Sequence, residues 1–319
     1  MATASSARNL SLIYVKLVAT ALIWGGTFIA GRIAVQTLGP FTAAFLRFAI
    51  ASIALLIVVG RVHGKIPSLK PAQRWAVLGL GITGIFGYNA LFFGGLQTVE
   101  AGRASLIIAL NPVAIALGAA LFLQEPLSQR KGAGILISLL GAAWVISRGD
   151  LSTLGASLLG GDILGNGASA SAEAAASGFG WGEVMIVGCV ISWMSYTLIG
   201  KAVMSALSPL VASAYACWVG TALLLPFAWQ EGLWQSLVLM PLDAAMSVLY
   251  LGLLGSAVGF CWYYDGLKAI GPAKASAFIN LVPVSAILLA AIVLHEPLTP
   301  SIAIGAILVI LGVSITNRR

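Results

Sequence analysis

NALFFGGLQTVEAGRASLIIALNPVAIALGAALFLQEPLSQRKGAGILISLLGAAWVI, the stretch Asn89–Ile146, is written twice in this chain. Moved 171 positions on, Gly95-Leu96 falls on Gly266-Leu267, Ala104-Ser105 on Ala275-Ser276 and Pro112 on Pro283. Glu125-Pro126-Leu127 falls on Glu296-Pro297-Leu298, Leu140-Gly141 on Leu311-Gly312, and Arg103 meets Lys274. No gap is needed. Earlier residues match more weakly at a shift of 169, with Trp24 on Trp193, Gly31 on Gly200, Arg32 on Lys201 and Pro40 on Pro209. The chain therefore reads as two copies of one unit of about 140 residues, far longer than a solenoid repeat.

Composition decides the solvent around that unit. Of 319 residues, 60% are hydrophobic and 8% charged, whereas a soluble domain carries about 25% charged residues. Five long apolar runs fill the first copy: Ser11–Gly31, Pro40–Gly60, Trp75–Leu96, Ala104–Leu123 and Gly132–Ser147. Five more fill the second: Trp181–Gly200, Pro209–Trp229, Ala244–Tyr264, Ala275–Leu294 and Ser301–Thr316. Each approaches the roughly 20 residues a helix needs to cross the hydrocarbon core, and the fifth of each copy is the shortest. Barrel strands would alternate apolar and polar residues, and these runs do not. The expected fold is an all-α membrane protein of ten transmembrane helices, with copies at 1–147 and 181–319 joined by a linker at 148–180.

An odd number of crossings makes the second copy enter from the opposite side, so the repeats are expected to be inverted. Loop charge gives the orientation. With the N-terminus inside, Arg8, Arg61, Lys65, Lys70, Arg74, Arg130, Lys131, Lys201, Lys268, Lys274, Arg318 and Arg319 share one side, against Arg32, Arg103 and Arg148 on the other. That positive-inside bias predicts cytoplasmic termini. The net charge of +7 is then an orientation signal, and no nucleic-acid partner is expected. The first apolar run is too long for a typical signal-peptide core and lacks a small-residue cleavage site, so it is expected to stay as a span.

Several motifs are set aside on physical grounds. Gly79-Leu80-Gly81-Ile82-Thr83-Gly84 has the spacing of a dinucleotide fingerprint, but no strand precedes it and no acid follows about 20 residues on. Close helix approach explains its small residues better. No Walker A motif occurs. His63 and His295 are expected in separate loops, so no metal site is expected. Cys189, Cys217 and Cys261 fall within spans and read as small apolar residues. Proteolysis within the membrane would want a Ser with a His, or paired Asp residues, inside the spans. An enzyme is not expected, nor is a cofactor, and the expected partners are a small-molecule substrate and the lipid bilayer, with the chain a monomer. Arg148–Gly180, rich in Gly, Ala and Ser, reads as a flexible outer linker with a short interfacial helix near Leu154–Leu164.

The candidate site comes from polar and interrupted positions inside spans. Pro112 and Pro283 hold equivalent mid-helix places, and each leaves a carbonyl, Ile108 or Ile279, without its usual donor. Asn111 adjoins the first and Asn280 lies close before the second. Tyr88-Asn89 places two polar groups in the third run. Trp24 and Trp193 lie deep in their spans, with Thr27 and Tyr196 three residues on along the same face. Phe92-Phe93 and Tyr263-Tyr264 fall at span ends and are expected in the interfacial belt. Lys16 is expected to snorkel to the headgroups. Arg47, a charge well inside the second run, is expected to have a structural partner, though an intramembrane charge is a functional candidate by default.

Trp24-Gly25-Gly26-Thr27-Phe28, Phe45-Leu46-Arg47-Phe48 and the twice-written Pro to Glu-Pro-Leu segment resemble the drug/metabolite transporter superfamily and its EamA domain. The resemblance covers almost the whole chain except the linker, and the sequence is most similar to the YddG-type aromatic amino-acid exporters of bacterial inner membranes. It implies two five-helix repeats, a central alternating-access cavity and export of small metabolites. The residues themselves point to a neutral or zwitterionic solute with an apolar body. No carboxylate is expected within the spans, as a cationic cargo would want, and no cluster of Lys and Arg, as a phosphate would want. Exporters of other drugs or metabolites, and a pore or scramblase without a coupled cycle, fit the same pattern.

Overall fold

The computed structural model describes residues 2–64, 66–124, 126–152, 180–203, 207–270 and 278–317, and every regular element among them is helical. The first copy holds α1 (Ala2–Ala34), α2 (Pro40–His63), α3 (Pro71–Leu80), a π-helical segment Gly81–Gly87, α4 (Tyr88–Leu96), α5 (Ala101–Ile108), α6 (Asn111–Leu123) and α7 (Gln129–Ile146). The second holds α8 (Trp181–Val203), α9 (Pro209–Gln230), the short α10 (Leu233–Val238), α11 (Leu242–Leu249), a second π segment Tyr250–Val258 and α12 (Gly259–Ile270). A 3₁₀ turn Phe278–Asn280 then leads into α13 (Leu281–Val293), and α14 (Pro300–Asn317) follows.

Among the described residues, seven helices are long and apolar enough to cross a membrane, including Pro71–Leu96 and Leu242–Tyr263, each of which runs unbroken through a π segment. Phe278–Val293 and Pro300–Thr316 are apolar but shorter. α7 opens on the polar Gln129-Arg130-Lys131.

The two copies interrupt their helices in the same places. The π segments occupy matching stretches of the third run of each copy, a feature that apolar periodicity does not reveal. In the fourth run α5 stops at Ile108, and the chain tightens so that Leu110 N–H donates to the Ile107 carbonyl at 3.1 Å. Pro112, second residue of α6, is why: it has no N–H for the Ile108 carbonyl. The 3₁₀ turn Phe278–Asn280 stands at the matching point before Pro283.

Packing is exchanged between the halves. α1 lies on α12 and α13, and its counterpart α8 lies on α4 and α6, which correspond to α12 and α13 in the other copy. α2 runs along α9, and α7 runs along α14. The last pair closes on small residues. A side chain at Gly141 would strike the Val309 backbone, and one at Gly134 would strike that of Gly312 and Thr316. The repeated Leu-Gly pairs thus mark where two backbones approach, as small residues do between helices in lipid.

One end of the bundle is tied by carboxylates that meet helix N-termini. Glu231, after α9, accepts from Phe41 and Thr42 backbone N–H groups at 3.2 and 2.7 Å, in the first turn of α2. Glu296, after α13, accepts from Ala101 and Gly102 at 2.8 and 2.9 Å, in the first turn of α5. These groups have no partner within their own helix, and the dipole there favours an anion. Arg103 is buried in that same turn rather than in a loop. Its guanidinium donates to the Ile146 carbonyl at 2.9 Å and lies 3.4 Å from Glu183. Arg32 donates to the Leu96 carbonyl. Just beyond α7, Ser152 donates to Asp150 from its hydroxyl and its N–H, which holds that exposed carboxyl below its ordinary value.

One expectation is corrected, and two residues gain partners. Phe92 and Phe93 are buried rather than interfacial, because their rings pack edge-on to each other and Phe92 meets Phe28 at 5.4 Å between α1 and α4. Tyr263 packs at a tilt against Trp24, 5.3 Å between ring centroids. Lys16 does not reach for headgroups alone, since Asp265 of α12 pairs with it at 2.6 Å. Glu125, Lys274, Ala275-Ser276 and the expected helix at 154–164 lie outside the described residues.

Candidate functional site

A cavity lies where the two copies meet, against both π segments' helices. α2 supplies Arg47 and Phe48, the first π segment Gly84 and Ile85, and α4 Tyr88 and Asn89. The second copy supplies Trp193 and Tyr196 from α8, Ser213 and Cys217 from α9, and Phe260 from α12. Its room for water is about 40 Å³, enough for roughly three molecules. That room holds water and no larger solute.

The wall is aromatic. Trp193 meets Tyr88 at 5.5 Å and Tyr196 at 5.1 Å between ring centroids, and Tyr88 stacks on Phe92 at 5.9 Å. Rings at these separations attract one another and present apolar faces with a few polar edges. Tyr196 reaches its place because position 84 is glycine: a methyl group there would collide with the Tyr196 ring. The Gly79–Gly84 motif therefore belongs to helix contact, with Gly81 receiving Val219 in the same manner.

The polar edge is centred on Arg47. Its Nε donates to Ser256 Oγ and its Nη1 to Asn89 Oδ1, both at 3.2 Å. Asn89 lies just beyond the first π segment, and Ser256 lies within the second. Both partners are themselves held. Asn89 Nδ2 donates to the Ile85 carbonyl at 2.8 Å, and Ser256 Oγ donates to the Leu251 carbonyl five residues back at 3.0 Å, the spacing a π turn brings together.

The ten residues expected at the site separate into three groups. Tyr88, Asn89, Trp193 and Tyr196 border the cavity together. Trp24 stands one ring behind it, against Phe260 at 5.9 Å, with its indole N–H given to the Gly255 carbonyl at 3.0 Å. Thr27 is buried, and its hydroxyl donates to the Trp24 carbonyl at 2.6 Å. Asn111, Pro112, Asn280 and Pro283 lie at the helix breaks and do not border this cavity. Arg47 was legible in the sequence as an intramembrane charge; Phe48, Ser213, Cys217 and Phe260 carried no signal that singled them out.

The family model described as the EamA-like transporter family matches residues 11–147 and again 180–318. An uncharacterized transporter of Bacillus subtilis, YyaM, is 29% identical over 302 residues, covering 94% of this chain and 92% of that protein. A probable terminal-alkyne amino-acid exporter of Streptantibioticus cattleyicolor is 30% identical over 303 residues, covering 95% and 92%. A solved crystal structure shares the fold with a TM-score of 0.57 and 21% identity, over 96% of each chain.

Proposed function

From its membership of the EamA-like transporter family, to which this chain belongs through both halves, we propose that it exports a small metabolite, an aromatic or other neutral amino acid, by alternating access through the cavity between its repeats. That it is a multi-pass membrane transporter follows from the family and from its apolar helices. The observation that carries the narrower reading is the cavity itself: both copies build it, and five rings and an amide share its wall. Secondary transporters with inverted repeats keep their site at such a junction, near the bilayer midplane. A relative named as an amino-acid exporter supports the solute class.

In this reading ten spans form inverted units at 1–147 and 181–319, joined by the linker 148–180, in a bacterial inner membrane with both termini cytoplasmic. The end tied by Glu231, Glu296 and Arg103 is the outer one, by the positive-inside rule. Tyr88, Asn89, Trp193 and Tyr196 face the solute, while Trp24 and Thr27 back the wall. The breaks at Asn111-Pro112 and Asn280 to Pro283 let half-helices tilt so that the cavity opens. The protein works as a transporter without catalysis.

Uptake of labelled phenylalanine into proteoliposomes tests this. The protein should give saturable uptake above protein-free liposomes, and Tyr196→Ala should lower it several-fold without loss of reconstitution. Uptake that is linear in concentration and indifferent to Tyr196 would refute it.

A further inference from the structure

We infer that Arg47 is the anchor for a substrate carboxylate, so that the solute carries a carboxylate at the end opposite its apolar body. This rests on the cavity being the substrate site. Arg47 is 9% exposed and sits within a span. Among the described residues the other buried cation, Arg103, has an acid in Glu183. No carboxylate among the described residues pairs with Arg47. Its hydrogen-bond partners are two neutral oxygens, and these take two of a guanidinium's five N–H donors. A buried charge left without a counter-ion is costly, and a chain keeps one in the membrane when it has work to do.

The repeat gives an independent argument. At the shift of 169, Arg47 corresponds to Ala216, which is fully buried. At the shift of 171, Asn89 corresponds to Phe260 and Ser256 to Ile85. All three members of the polar cluster are thus replaced by apolar residues in the opposite copy. Helix packing recurs in both copies and this cluster does not, as suits a solute with one charged and one apolar end.

The geometry fits a carboxylate. Asn89 and Ser256 hold two edges of the guanidinium from opposite copies, which fixes the plane of the fork and leaves donors beside the cavity. A carboxylate takes two parallel N–H bonds from such a fork. Trp193 and Tyr88 stand at the same cavity to receive the apolar body.

The test compares phenylalanine, phenylalaninamide and 3-phenylpropionate by titration calorimetry on the purified full-length protein in detergent. Phenylalanine and phenylpropionate should bind about 10- to 100-fold more tightly than the amide, the range for hydrogen bonds to a charged group. Arg47→Gln should bring the three within about threefold of one another, while Arg47→Lys should keep the order with a smaller ratio, a point charge replacing a fork. Should Arg47→Gln fail to fold, the wild-type ratio and Arg47→Lys decide. A wild type that does not discriminate the amide, or an Arg47→Gln protein with the full preference, overturns the inference. A Trp193→Leu arm separates that from failure of the site: if it weakens phenylalanine and its amide alike, the cavity stands and the anchor alone falls. A wild type that binds none of the three removes both.

Discussion

Glu296 accepts a hydrogen bond from the Ala101 backbone N–H at 2.8 Å, joining the loop after α13 to the first turn of α5. The Glu-Pro-Leu motif of the second copy thereby has a physical role, because its carboxylate caps a helix in the opposite copy. Glu296→Ala should cost about 1–2 kcal/mol, as loss of a cap does, and lower the thermal midpoint in detergent. Glu296→Gln, which keeps an acceptor oxygen, should lose less. Equal midpoints for all three proteins would make the cap irrelevant to stability.

The two tryptophans that the repeat pairs should behave differently. Trp24 gives its N–H to Gly255, so Trp24→Phe should destabilise by about 1 kcal/mol and lower transport of aromatic and aliphatic amino acids alike. Trp193 borders the cavity and meets Tyr88 and Tyr196. Trp193→Leu should weaken binding of phenylalanine by roughly 2- to 12-fold, the worth of an aromatic contact, with a smaller loss for a small aliphatic amino acid. Equal losses for both solutes in Trp193→Leu would reduce it to a packing residue.

Much of this was legible because lipid leaves few choices. Apolar runs of about 20 residues must be helices, and the shift that matches Pro112 to Pro283 locates the helix breaks. The rest was hidden where side-chain type does not encode helix winding. The π segments around Gly84 and Ser256 follow the same apolar pattern as ordinary helix, yet they decide which residues face the cavity. Phe92-Phe93 looked interfacial because position along a span says nothing of which face meets lipid; packing against Phe28 settled that. Ser213 and Phe260 joined the site through helix pairing between copies, which no local pattern announces.

Gly84→Ala should remove the space that Tyr196 occupies. The added methyl overpacks the contact, which typically costs about 1–3 kcal/mol, and moves the phenol ring that forms one wall of the cavity. Phenylalanine transport should fall several-fold while the protein still inserts. Gly132→Ala, at a position with open space around it, is the control and should leave transport unchanged.

The proline breaks should matter through motion. Pro112→Ala and Pro283→Ala restore an N–H to the carbonyls of Ile108 and Ile279 and allow continuous helix. Each should reduce transport while insertion is preserved, because stiffened half-helices no longer open the cavity. Full transport in both variants would leave the prolines as packing kinks.

Counterflow tests the central claim most directly. Proteoliposomes loaded with excess unlabelled phenylalanine are diluted into a trace of labelled phenylalanine, and internal label is followed with time. A carrier that alternates access through one saturable site accumulates label transiently above its equilibrium level, and gives a smaller overshoot when Trp193 is replaced by leucine. A pore equilibrates label without an overshoot, and that result would contradict the account.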